Sequence, residues 1–456
     1  MEVSGKKFLK KEIFMAANTV TFAHGVKMEE YKELSENSSL HTASIPKLVT
    51  IPLTQHIGAP SKCNVKKNDE VAVGDLLGSA VGNFSANIHS SVAGVVKEVI
   101  DIQSASGKNT KAVVIDTEGF EQEVEYTELE NVNLSPEEIV AKVKEAGIVG
   151  MGGAAFPAHI KYSPNKPIDT VIVNGAECEP YITCDDYIMK NYPLHIIKGL
   201  IQVLKAVNAK DGVIAIENNK PQAFKTMTEA LEEFTKTNKF DGTIKVVSLE
   251  TKYPQGDEKR LINAILKREV PSGGLPMDVG AVVSNVSTVN AIYEAIYMGK
   301  PLYERILTVT GKTVKNPQNM VVRIGTSFND LIEEAGGAEE IAKVINGGPM
   351  CGIAQPDLNK PVEKATNCIL VFDSEDAFIE DPSPCIRCGR CVSVCPVFLL
   401  PNYIHKHALD GRFEKADEEG ALDCIECGSC SFVCPARRPL VEAIKFAKRQ
   451  IRQAGK

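Results

Sequence analysis

Thirteen cysteines are present, and eight fall into two tight runs toward the C-terminal end of the sequence. The first run is Cys385, Cys388, Cys391 and Cys395, followed by Pro396. The second is Cys424, Cys427, Cys430 and Cys434, followed by Pro435. Thiolates are soft ligands that suit zinc and iron–sulfur clusters. Structural zinc takes four ligands, usually as two spaced pairs. A duplicated run of three cysteines, each with a fourth before proline, is instead the spacing that holds two [4Fe–4S] clusters. Three thiolates at two-residue gaps wrap one corner of a cubane, and the fourth reaches across to the other cluster. That rule assigns Cys385, Cys388, Cys391 and Cys434 to one cluster, and Cys424, Cys427, Cys430 and Cys395 to the second. The implied chemistry is one-electron transfer. Cys63, Cys178, Cys184, Cys351 and Cys368 lack such spacing and read as small buried hydrophobes.

A second group of residues lies far upstream. Gly150-Met-Gly152-Gly153-Ala-Ala-Phe156-Pro forms a glycine-rich loop, with Lys161 a few residues on. Backbone N–H groups in such a loop can approach a phosphate closely. Alone, the loop could equally be a tight turn. Asn174-Gly-Ala-Glu177-Cys-Glu179-Pro follows an apolar run, placing polar groups where a strand ends. That edge is where open α/β sheets bind ligands.

The elements that must position these residues differ along the chain. Residues 1–40 read as a polar N-terminal arm, with Thr21–Gly25 a short strand and turn. Residues 41–130 carry short alternating runs such as KLVTIPLTQ and AGVVKEVI, broken by Gly, Asn and Asp, the pattern of a small all-β domain. Residues 131–300 alternate strands and helices, which implies a layered α/β domain with a mostly parallel sheet. Ser135, Pro136 and Glu138 form a helix-start signature. Further helices are expected at Tyr187–Val207, Gln222–Thr235 and Glu258–Lys267, and strands at Gly212–Glu217 and Thr243–Leu249. Residues 301–375 suggest a small β-grasp-like domain, and 376–456 hold the cysteine module. Between its two runs, residues 396–423 read as a helical insertion with His405 and His407 on the surface. A basic amphipathic helix follows Leu440, with Lys445, Lys448, Arg449 and Arg452.

Bulk composition narrows the partners. The formal net charge is -8 and there is no Trp, which argues against nucleic acid. No apolar run approaches the roughly 18 residues needed to cross a bilayer. The first twenty residues lack the apolar core of a cleaved signal peptide, and cysteines grouped in two tight runs, where a secreted disulfide protein would spread them, lead to the expectation of a reducing cytosol.

Residues 65–99 resemble the lipoyl/biotinyl-type barrel-sandwich fold. The lysine that such a hairpin tip would carry is replaced by Asn87-Ile-His-Ser90, which favours a structural role over a swinging arm. GMGGAAFPAHIKY together with VNGAECEPYITCDDYIMKN resembles the FMN- and NADH-binding domain of the complex I flavoprotein subunit. The order of barrel-sandwich, α/β domain, β-grasp (SLBB-like) domain and bacterial-type 2[4Fe–4S] ferredoxin module is similar to the RnfC subunit of the Rnf ferredoxin:NAD⁺ oxidoreductase complex. The resemblance implies non-covalent FMN at the glycine-rich loop, NAD⁺/NADH as substrate, and no acid/base triad. It places Gly150, Gly152, Gly153, Phe156 and Lys161 in the nucleotide loop, and Asn174, Glu177 and Glu179 in an acidic turn contacting flavin and nicotinamide nucleotide. That turn would favour NADH over NADPH. Tyr253, Gly256, Asp257 and Glu258 resemble a Tyr…Gly-Glu-Glu segment, and Asn285 and Thr288 an Asn-Asn-Val-Glu-Thr segment. Ala155 departs from a Gly, Ser284 from an Asn and Asp257 from a Glu. The resemblance further implies a peripheral protein on the cytoplasmic face of the cell membrane. Its partners would be a ferredoxin-like B subunit and integral membrane subunits that couple electron flow to Na⁺ or H⁺ movement. The competing expectation is a soluble adaptor of the same architecture feeding a cytosolic reductase such as proline reductase.

Overall fold

The computed structural model describes residues 19–130, 132–238 and 240–455; residues 1–18 of the expected arm lie outside them. The described part of the arm runs across the α/β domain. Val20 and Val26 make isolated bridges to Leu249 and Tyr253, where a short strand was expected. A single turn of 3-10 helix, Lys32–Leu34, follows.

Strands are numbered along the chain. After β1 (His41–Thr42) come β2 (Leu48–Pro52), β3 (Lys62–Cys63), β4 (Glu70–Val71), β5 (Leu76–Ser79), β6 (Ile88–His89), β7 (Gly94–Gln103) and β8 (Asn109–Asp116). Sheet β2-β8-β7-β4 faces sheet β3-β5-β6. Alternate residues point inward, so Val49, Ile51, Val113 and Ile115 meet Leu77 and Ile88 in one core. The hairpin tip is not free. Ile88, His89 and Ser90 are buried, and Asn87 donates to Glu145 O at 3.1 Å. The swinging-arm role is thereby excluded by packing as well as by the missing lysine.

The α/β domain has four parallel strands, β9 (Thr170–Gly175), β10 (Asp211–Glu217), β11 (Thr243–Leu249) and β12 (Ala281–Asn285), in the order β11-β10-β9-β12. Their Val- and Ile-rich runs suit strands covered on both faces. Helix Pro136–Glu145 starts as expected, with a capping box between Ser135 and Glu138. The single helix expected at 187–207 is two, Cys184–Asn191 and Pro193–Ala206. Pro193 has no N–H to extend the first, and its fixed φ suits the first turn of the second.

The next sheet contains β13 (Glu304–Thr310), β14 (Gln318–Arg323), β15 (Lys343–Asn346), β16 (Ile353–Gln355) and β17 (Cys368–Phe372). Its order, β1-β14-β13-β17-β15-β16, takes β1 away from the barrel-sandwich segment in which residue 41 was expected. Helix Phe328–Glu334 covers it with Phe328, Leu331 and Ile332. In the cysteine module, helices Pro401–Leu409, Phe413–Glu418 and Leu440–Ala454 share an apolar core around Ile404, Ala416, Ile444 and Ala447. The insertion is helical as expected, but His405 is only 4% exposed and not a surface residue. It lies one turn from Pro401, next to the buried Ile404.

Lys364 ties three of these units together. It is buried, and its ammonium donates to Asn87 O at 2.6 Å and Gly147 O at 2.7 Å. Its own carbonyl accepts from Arg305 at 2.6 Å. Burial pulls its pKa down to about 7. The unfolded chain therefore holds more protons than the folded chain between that value and the ordinary value of about 10.4, so this group makes stability rise with pH across that window. The unfolding free energy of wild type should accordingly gain on that of Lys364→Met as pH is raised from about 7 to about 9, by up to about 1.4 kcal/mol per pH unit, and its melting midpoint should gain with it. Melting both proteins across that range checks it, and a pH-independent difference contradicts it.

Candidate functional site

The chain runs from β9 to β10 to β11 on one side, then returns to place β12 on the other side of β9. The C-terminal ends of β9 and β12 therefore diverge at a switch point, the standard position for a ligand crevice in an open α/β sheet. Asn174 and Asn285 are register partners at those ends. Asn285 caps helix Val286–Tyr293, accepting from Ser287 N and Thr288 N. The glycine-rich loop folds over this point: Met151 N donates to Thr288 Oγ1 at 2.9 Å. A Cβ on Gly152 would lie 3.3 Å from Asn285 Cβ. Gly153 has φ +119°, and a Cβ there would meet nothing within 4 Å. The loop thus presents exposed backbone to open space at Gly153. Ala155, where a Gly was expected, sits at φ 50°, a left-handed conformation that costs a non-glycine about 1–2 kcal/mol. Its carbonyl accepts from Ile57 N at 3.1 Å, and Phe156 makes an edge contact with Phe84. The barrel-sandwich unit therefore buttresses the loop.

Asn174, Gly150, Gly152, Gly153, Asn285 and Thr288 are brought together at this crevice. Gly256 joins them, its carbonyl accepting from Asn174 at 2.8 Å. Asp257 caps helix Glu258–Leu266. Lys161 does not turn its ammonium to the loop. It pairs with Glu258 at 2.8 Å and donates to Val283 O at 2.9 Å.

The acidic turn uses its carboxylates internally. Glu177 accepts from Asp185 N at 2.6 Å and Asp186 N at 3.4 Å, and burial pushes its carboxyl up to about 8 against the pull of Lys32. Asp185 in turn accepts from Asn285 Nδ2 and Ser287 Oγ, both at 2.6 Å. Glu179 reaches the other way, accepting from Met350 N at 3.1 Å and Cys351 N at 2.9 Å. Glu177 and Tyr181 hold the turn in left-handed conformations, φ 49° and 71°. Asp185 and Ser287 were missed by sequence reasoning. The acidic pair Asp185-Asp186 directly after a turn was the available signal for the first.

The cysteine module repeats its backbone twice. Arg387 and Glu426 are left-handed, as are Gly389 and Gly428, and Phe398 and Arg437. These matched bends curl each three-Cys run around its own centre. Cys395, Cys424, Cys427 and Cys430 line one small cavity, closed by Leu399, Val441 and Ile444. Cys391 lies in the electrostatic reach of Cys388 and Cys434. None of the 13 cysteines forms a disulfide. Four sulfurs facing an apolar cavity, with the fourth supplied by the opposite run, fit a four-iron cluster and leave a zinc pair unexplained. Cys351 departs from its expected burial. It is exposed, with its sulfur 3.0 Å from Tyr253 Oη.

The cavity holding Cys427 faces the crevice side of the α/β domain. Tyr253 donates to Cys427 O at 2.8 Å, and Arg260 donates to Pro396 O at 2.8 Å. His24 Nδ1 lies 3.1 Å from Cys395 O, and Lys448 donates to Cys424 O at 2.6 Å. Lys448 is buried by that bond and its pairing with Glu426, so it does not belong to the outward basic face expected of the last helix. Cys385 and Cys388 are exposed at the other end of the module.

Comparison with known proteins agrees with this geometry. Family models match as the RnfC barrel sandwich hybrid domain over residues 20–120, the Nuo51 FMN-binding domain over 143–294, the SLBB domain over 306–354 and a 4Fe-4S dicluster domain over 377–435. The chain is 44% identical, over 95% of its length and 95% of the relative's, to the C subunit of the proton-translocating ferredoxin:NAD(+) oxidoreductase complex of Clostridium ljungdahlii. It is also 44% identical to the Na(+)-translocating counterpart of Acetobacterium woodii, over 94% of this chain and 97% of that one. To the corresponding protein of the ion-translocating oxidoreductase complex of Rhodobacter capsulatus it is 40% identical, over 96% and 84%. Among solved structures, a chain of an NAD⁺-reducing [NiFe]-hydrogenase in the H2-reduced state shares the fold at TM-score 0.50 and 17% identity, covering 69% of this chain and 63% of that one. The α/β domain is an FMN-binding domain, the cysteine module is a 4Fe-4S dicluster domain, and the role is electron transport within an oxidoreductase complex. The chain belongs to the RnfC family, whose members are subunits of Rnf-type, ion-translocating ferredoxin:NAD⁺ oxidoreductase complexes.

Proposed function

We propose that this chain is the NAD(H)-reactive subunit of such a complex, exchanging electrons between NAD(H) and ferredoxin-derived carriers through one crevice and two clusters in series. FMN in the crevice supplies the conversion between a hydride's electron pair and single electrons, and the clusters supply one-electron steps. The observation that carries the reading is the direct bond from Tyr253, beside the crevice, to the backbone of Cys427. It favours the cluster of Cys424, Cys427, Cys430 and Cys395 as the one next to the flavin, and that of Cys385, Cys388, Cys391 and Cys434 as the outlet.

The protein's own residues position and exclude; none moves a proton. Gly150, Gly152 and Gly153 let the loop backbone approach the flavin phosphate, held in place by Thr288. Asn174 and Asn285 offer the strand-end polar groups. Glu177 shapes the crevice wall through Asp185, and Glu179 braces the β-grasp turn at Met350 and Cys351. Phe156 backs the loop, Asp257 and Gly256 set the next turn, and the Lys161–Glu258 pair supports it from below.

At the outlet, Ile386 between Cys385 and Cys388 is 68% exposed, and Phe378 and Ile379, which precede them in the chain, are 72% and 74% exposed. An apolar edge of that kind around a redox centre supports a docked protein partner. The partners proposed are a ferredoxin-like subunit and integral membrane subunits, with this chain peripheral on the cytoplasmic face of the cell membrane. No helix among the described residues is long and apolar enough to cross one. Na⁺ or H⁺ coupling then resides in the partners, which suits two equally similar relatives named for different cations.

Anaerobic purification, quantification of iron, sulfide and FMN, and mixing with NADH test the core reading. Flavin and cluster bleaching is expected. A full iron complement with no FMN and no response to NADH sinks it. Co-purification with membrane subunits separates the complex from a soluble adaptor.

A further inference from the structure

The N-terminal strap contains a lysine that neither crevice nor cluster module explains. Lys32 is 6% exposed, and its ammonium donates to three carbonyls of one turn: Glu177 O at 2.9 Å, Glu179 O at 3.0 Å and Ile182 O at 2.7 Å. A lysine has three donors, and all are spent on the acidic turn. The rest of the strap closes on the same segment. Tyr181 N donates to Glu30 O at 2.7 Å, Ser35 Oγ lies 2.8 Å from Thr183 Oγ1, and Tyr31 stacks on Tyr181 at 4.6 Å. Lys220 adds a bond to Ala176 O at 2.7 Å from the far side.

Burial and the neighbouring Lys220 pull the Lys32 pKa down, against the opposing pull of Glu177, Glu217 and Glu30. Such a point charge among converging carbonyls is a geometry for an ammonium and not for the planar fork of arginine. What it holds is a conformation the turn would not choose, given left-handed Glu177 and Tyr181.

That conformation branches to both functional sites. One branch runs from Glu177 to Asp185, then to Asn285 and so to Gly152 in the glycine-rich loop. The other runs from Glu179 to Cys351, then to Tyr253 and Cys427. Lys32 stands where they part, and the matched FMN-binding segment, 143–294, does not contain it.

We propose that Lys32 is a positioning residue for dinucleotide binding, so that the N-terminal strap is part of the nucleotide site. This rests on the crevice being where NAD(H) reacts. Lys32→Met removes all three bonds at similar volume, and Lys32→Gln keeps two donors without the charge. The full chain is prepared anaerobically, and NADH oxidation is followed with ferricyanide as acceptor. The KM for NADH should rise about tenfold in Lys32→Met and about threefold in Lys32→Gln, with kcat within about twofold and iron unchanged. A merely structural role would lower the active fraction, seen as kcat, and leave KM alone. That outcome, or wild-type KM in both variants, overturns the proposal. Should Lys32→Met not fold, Lys32→Gln decides. Wild type that lacks FMN and ignores NADH would instead overturn the functional reading itself.

Discussion

Cys395→Ala should empty the cavity of the second cysteine run while leaving the first run loaded. Cys395 belongs by sequence to the first run, yet it lines a cavity with Cys424, Cys427 and Cys430. Iron should fall from about eight to about four atoms per chain, and the loss should fall on the cluster next to the flavin. Cys434→Ala should also halve the iron, but at the outlet end, where Cys391 and Cys388 lie nearby. The two variants then part in function. With Cys434→Ala, NADH should still reduce the remaining cluster, because Tyr253 and Arg260 hold that cluster's ligand segments against the crevice domain. With Cys395→Ala, rapid-freeze EPR should show no reduced cluster within a turnover, although the flavin still bleaches. Loss of the first run's own cluster in Cys395→Ala would refute the exchange of ligands.

Gly153→Val should abolish FMN binding with iron intact. The position has φ +119° with open space where a side chain would stand. Valine is strained there by about 1–3 kcal/mol, and its two methyls occupy the space the loop backbone leaves for the ligand. The neighbouring glycines give a graded control. A Cβ at Gly150 would find its nearest atom at 3.6 Å, an ordinary contact, so Gly150→Ala should weaken flavin binding least of the three. At Gly152 the contact is 3.3 Å, to Asn285, and Gly152→Ala should weaken binding without removing it. Flavin stoichiometry by absorbance, with iron measured on the same sample, reads all three. A Gly153→Val chain with full flavin would mean that the loop does not face the cofactor.

What could be read from sequence was what local spacing controls. The duplication of the cysteine runs is visible in their spacing, and the bends between the thiols recur in both copies, as at Arg387 and Glu426. Ser135 caps its helix because its partner is three residues away. The parallel sheet followed from Val- and Ile-rich runs separated by helices. Sequence is silent where a distant group supplies the partner. Lys161 meets Glu258, which folds next to it from 97 positions away. The carboxylate of Glu179 finds the amides of Met350 and Cys351. Lys32 carries no local signal, since the carbonyls it binds begin 145 positions later. Pro193 was visible and should have split the long helix, because proline cannot continue the preceding turn.

The locked hairpin tip has a wider consequence. A barrel-sandwich unit with a lysine at its tip works as a crane: it carries cargo on a tether, and its rate depends on how far the tether swings. Here Asn87 is fastened to Glu145 and Lys364, and the same unit leans on the loop at Ala155. The crane has become a bracket. A unit fastened in this way does not swing, so stiffening the bracket should leave turnover untouched where stiffening a crane would stop it.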